Sequence, residues 1–141
     1  MQPKSQGHTK RRCCFSDAVG TRVAGCSKAV KLTRQYRRTV ECTDSSAHGL
    51  CAAWLDYVRR ASNFTLGTRD SPSALPRRAA VKLQSGGLLG MGDLLEEQQR
   101  CSRIQDVSDL LQRALARYGS FDNVPMQTII KRIHQFDTDE R

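Results

Sequence analysis

The sequence predicts an all-α fold: a small domain of three to five amphipathic helices that ends in a C-terminal helical hairpin and is preceded by a disordered basic arm. Three observations carry that expectation. Apolar residues recur at spacings of three and four through most of the chain, which is the period of a helix face. No convincing strand interrupts them. The formal charge of +9 is confined to one end: residues 1–40 hold ten basic groups against the single acid Asp17, and the other residues balance.

Taken in order, residues 1–27 are polar, with Gly and Ser, and read as the disordered basic arm. From Lys28, the residues Ala29, Leu32, Tyr36 and Val40 fall on one helical face and predict a basic amphipathic helix over about 28–42. The alternation across Val30 and Leu32 leaves a strand open there. A second helix follows Ser45 and Ser46, both good N-caps. Its stripe is Leu50, Trp54, Tyr57, Val58 and Ala61, with Arg59 and Arg60 where they complement the helix dipole. Together these two helices make a unit over 28–66.

Gly67, Pro72, Pro76, Gly86 and Gly87, with several serines, mark 67–92 as a linker holding one helical turn near Ala79–Leu83. Residues 93–141 form the predicted hairpin. Asp93 and Glu96 have the offset of a capping box. Ile104, Val107, Leu111, Ala114 and Tyr118 make a seam that stops at Gly119. Pro125 opens the last helix, whose stripe is Met126, Ile129, Ile130, Ile133 and Phe136.

Function classes are narrowed mainly by subtraction. There is no apolar run of about 20 residues to span a membrane, and no signal-peptide-like run near the start. The expected compartment is therefore intracellular, cytoplasm or nucleus, with the mitochondrion a further option. Gly86, Gly87, Gly90 and Gly92 lack the Lys-Ser/Thr of a phosphate loop. None of the six cysteines forms a C-x-x-C pair, and Cys42, His48 and Cys51 offer three ligands without a fourth, so no metal or cofactor is expected.

The reading that remains is a non-enzymatic helical interaction or adaptor protein, a subunit of a larger complex. Its protein partner would meet the apolar faces at Ile104, Leu111, Tyr118, Ile129, Ile133 and Phe136. The arm, through Arg11, Arg12, Arg34, Arg37 and Arg38, would contact an acidic partner. A basic subunit associated with RNA or DNA is an alternative, with phosphate contact rather than base stacking because aromatics are not interleaved with the charges.

A different class comes from His48-Gly49-Leu50-Cys51-Ala52. The run Gly49-Leu50-Cys51-Ala52 resembles the nucleophile segment of the YopT-type papain-like cysteine protease effectors of bacteria, over four to seven residues. That resemblance implies Cys51 as nucleophile, His134 as base and Asp137 as its orienter, in a truncated or divergent member secreted without a signal peptide. The physical expectation is a Cys at a helix start, its thiolate stabilised by the dipole.

Overall fold

The computed structural model describes residues 11–63, 76–96 and 101–136. Its elements are α1 (Ser16–Gly20), β1 (Ala29–Arg34), β2 (Arg37–Cys42), α2 (Ser45–Ala61), α3 (Arg77–Leu95), α4 (Val107–Tyr118), a 3-10 turn (Phe121–Asn123) and α5 (Met126–Gln135). The described chain is mostly helical and carries one two-stranded antiparallel sheet.

The predicted helix over 28–42 is instead this β-hairpin. Its register pairs Ala29 with Cys42 and Leu32 with Thr39, closing at Arg34 and Arg37. Val, Thr, Leu and Tyr suit an extended ladder as well as a helix, and with Val40 alone fully buried no apolar stripe decides between them. The arm is also corrected. Residues 1–10 lie outside the described residues, but 11–27 are built into the body: Phe15, Ala18, Val19 and Ala24 are buried. Helix α1 is too short to stand alone. It is fixed by Gln84, whose Oε1 accepts from the Asp17 and Ala18 backbone N–H groups at 2.9 and 3.2 Å.

Where a linker is expected over 67–92, the described part is the 19-residue α3, the central helix of the fold. From Leu83 to Gly92 it is buried on every side. Glycines in a helix interior cost up to about 1 kcal/mol each, which is why they read as breakers. Here they let α5 approach. A Cβ at Gly86 would strike the Ile133 backbone, and one at Gly90 would lie 3.0 Å from the Ile129 Cα.

Helix α2 begins where expected, but its cap is Asp44, whose carboxylate accepts from the Ala47 N–H at 3.0 Å. Those backbone donors hold the Asp44 carboxyl below its usual range. The stripe expected for it is only partly used: Trp54 and Val58 enter the core with Ala47 and Cys51, while Ala61 is exposed. The two C-terminal helices occur, with Asp106 capping α4 and Gly119 (φ +84°) ending it, but Ile104 of the expected seam lies outside α4, bridged to Ala24. They do not form a hairpin with each other. Helix α5 packs along α3, and Asp93 caps nothing: it sits inside α3, paired with Arg132 of α5 at 2.5 Å.

Candidate functional site

The β-hairpin leaves the body after a short root. At the root, Arg11–Cys13 runs antiparallel beside β2 in an isolated bridge: the Cys13 N–H donates to the Val40 carbonyl at 2.9 Å, the Cys42 N–H to the Arg11 carbonyl at 2.8 Å, and Arg12 pairs with Glu41. Thr43 donates to the Lys28 carbonyl from both its N–H and its Oγ1. Beyond Val40, Leu32 and Thr39 are half-buried, and Lys31, Thr33 and Gln35 to Arg38 are exposed. No residue from Ala29 to Thr39 belongs to the buried core.

Lys31, Arg37 and Arg38 stand exposed on this ribbon, and no acid occurs between Asp17 and Glu41. The register also sets two basic residues, Arg34 and Arg37, directly opposite each other. The ribbon's two-residue turn is Gln35-Tyr36, with φ of +51° and +69°. These are the left-handed angles of a type I′ turn, for which Asn-Gly is the unstrained solution. A side chain with a Cβ pays about 1–2 kcal/mol per residue there. Tyr36 is 100% exposed, so packing does not return that cost.

Arg11 and Arg12 are thus brought to the root of the ribbon that carries Arg34, Arg37 and Arg38, so the predicted basic residues share one element. The apolar candidates are placed differently. Ile104, Leu111, Ile129 and Ile133 are all but inaccessible in the core, while Tyr118 and Phe136 are half-buried against it. The apolar stripes of α4 and α5 are spent on the fold itself. Among the described residues, no helix is long and apolar enough to cross a membrane.

Behind the root lies a thiol-lined hollow. Cys13, Cys14, Cys26, Cys42 and Cys51, from four separate segments, surround a cavity of about 10 Å³ with His48, Phe15 and Val107. That is roughly the volume of one water. Among the described residues, no three His, Cys, Asp or Glu side chains are arranged to hold a metal ion. The His48 Nε2 is 3.1 Å from the Arg12 carbonyl and 3.7 Å from the Cys14 Sγ. A carbonyl only accepts, so in that contact this nitrogen is the N–H donor, and it has no lone pair left to act as a base toward Cys14.

Burial pushes the Cys13 thiol up to about 11 and raises Cys14 as well. Cys51 is raised by burial first and by the surrounding sulfurs second. It also lies in the second turn of α2, which starts at Ser45, where the dipole's effect has faded. His134 is exposed on the outer face of α5, in a shallow groove with Gln127, Ile130 and Lys131, and does not share the hollow with Cys51. Asp137 lies outside the described residues. In the folded chain at pH 8, Cys51 should alkylate with iodoacetamide at least about tenfold more slowly than in the urea-unfolded chain. Peptide mass spectrometry reads this directly, and equal rates would contradict the burial of the hollow.

Comparisons with protein-family models, with curated proteins and with solved structures find no match.

Sequence reasoning found the basic residues but missed the ribbon that groups them, the exposed Tyr36 and the convergence of the thiols. A signal for the ribbon was present. Two runs of six residues, rich in Val, Thr and Leu, flank a two-residue connection. The Gln-Tyr turn hid it, because the expected glycine is absent.

Proposed function

We propose that this protein is a non-enzymatic interaction module, a subunit or adaptor that docks its basic β-hairpin on an acidic partner. The observation that carries the reading is the ribbon itself: Lys31, Arg37 and Arg38 are exposed, no acid occurs in the sequence between Asp17 and Glu41, and the exposed Tyr36 at its tip lies outside the core. Of the two contact surfaces expected for such a module, the charged one is solvent-exposed. The apolar one is largely consumed by the fold, which shifts the weight of recognition to electrostatics.

Electrostatic recognition of this kind is screened by salt, with a Debye length of about 8 Å at physiological ionic strength. The 141-residue chain, retained on a heparin column, should elute at a clearly lower salt concentration once Arg34, Arg37 and Arg38 are all changed to Gln. Circular dichroism of the triple variant should be unchanged, since Arg37 and Arg38 are exposed and Arg34 sits beside the turn, at the end of β1. Elution at an unchanged salt concentration would remove the hairpin from the mechanism.

A further inference from the structure

Resting on that reading, we propose that the acidic partner is double-stranded DNA and that the hairpin enters its major groove. The first argument is where the charges lie. In the antiparallel register, cross-strand partners share a face. Lys31 pairs with Val40 and Thr33 with Arg38, which places Lys31 and Arg38 on one face of the ribbon. Arg37 pairs with Arg34, one residue along, and so belongs to the other face. A flat acidic surface, whether protein or membrane, meets one face of a ribbon and leaves the other face's cations in water. A groove walled by phosphates on both sides engages both.

The second argument is size. Six residues of strand span about 20 Å, and the two strands lie about 4.8 Å apart. The major groove of B-DNA, about 12 Å wide, admits a two-stranded ribbon. The deep, narrow major groove of A-form RNA does not.

The third argument is the tip. Gln35 and Tyr36 occupy left-handed backbone angles at a cost, and Tyr36 is wholly exposed. A tip seated between phosphates gains what the free hairpin lacks: anions beside the arginines and a surface for the ring. Gln and Arg are also side chains that pair with adenine and guanine edges in this groove. Strain retained at an exposed position fits a binding role.

The test is fluorescence anisotropy of the full chain with a labelled 20-base-pair DNA duplex from 50 to 300 mM salt. The same sequence as an RNA duplex, polyglutamate, and phosphatidylserine vesicles are run beside it. The DNA duplex should bind, with the RNA duplex at least about fivefold weaker. Arg37→Gln with Arg38→Gln should reduce the slope of log K against log salt by about two, since each lost phosphate contact removes about 0.9. Gln35→Asn with Tyr36→Gly relieves the turn. This variant should melt no lower than the parent while losing DNA affinity by about fivefold or more.

Equal binding of DNA and RNA duplexes, or a relieved turn that binds DNA unchanged, would overturn insertion into the groove. Binding to polyglutamate or vesicles without DNA would overturn the DNA inference and leave the acidic-partner reading in place. Binding to none of the four would remove both.

Discussion

Gly86→Ala is expected to destabilise the fold by about 3 kcal/mol, and Gly86→Val to leave most of the chain unfolded at 37 °C. The reason is backbone against backbone. A Cβ at Gly86 would collide with the Ile133 Cα and lie 2.8 Å from its N, atoms that cannot rotate away. Overpacking a core costs about 1–3 kcal/mol when side chains can adjust, and more when they cannot. Against a total stability of about 5–15 kcal/mol, that is a large share.

The neighbouring residue supplies the control. At Gly87 a Cβ meets only the Val58 side chain, at 3.5 Å, an ordinary contact. Gly87→Ala should therefore stabilise α3 by about 0.5–1 kcal/mol through helix propensity alone. Urea titration of the two alanine variants should give shifts of opposite sign. Two shifts of the same sign would mean that α5 does not lie on α3 as described.

The second large effect is expected at the ion pair joining those same helices. Arg132, all but buried, donates from Nη1 to the Asp93 Oδ2 at 2.5 Å and from Nη2 to the Cys101 carbonyl at 2.7 Å. The other oxygen of Asp93 accepts from the Cys101 N–H at 2.6 Å. Asp93 thus ties α3 to α5 and to the strand of chain leading into α4. Arg132→Met fills much of the same space but leaves the carboxylate without its counter-charge, and a broken buried pair costs about 3–5 kcal/mol. A double-mutant cycle with Asp93→Asn should show a coupling of more than about 1 kcal/mol. Additive effects would mean that the two side chains act independently.

The helices with strong stripes and clear stops were legible in the sequence. Val107, Leu111 and Ala114, ending at Gly119, are a helix in the fold as they are in the periodicity. Ile129 and Ile133 after Pro125 are another. Which helix each one packs on was not legible, because an apolar stripe specifies burial without naming its partner. The same glycines that let α5 settle on α3 disguised α3 as a linker: local propensity and tertiary need point opposite ways at Gly86 and Gly90. The hairpin was hidden for the converse reason. Of its residues only Val40 enters the core, so no hydrophobic period marks it, and its turn avoids the residues that usually announce one. Of the candidate site, the arginines were visible as a cluster in sequence. The contact that gathers Arg11 and Arg12 to β2 is made by backbone groups, which carry no sequence signature. Asp93 was read as a helix cap by its offset from Glu96, whereas its role depends on Arg132, 39 residues away.

The anchoring of the early chain has a consequence for how the protein is made. Residues 17–27 are held by groups that are translated much later. Gln84 holds the start of α1, 67 residues on, and Asp106 accepts from the Ser27 N–H across 79 residues. Ile104 completes the clasp, donating to the Val23 carbonyl and accepting from the Gly25 N–H. At about 5–20 residues per second, the later of these groups follows by roughly 4–16 s. Throughout that interval Phe15 has no core to enter, and Cys13, Cys14 and Cys26, destined for the hollow, face the solvent as ordinary thiols. The nascent chain is then more exposed to oxidants and chaperones than the finished one, and its cysteines are sheltered only once the second half arrives to cover the first.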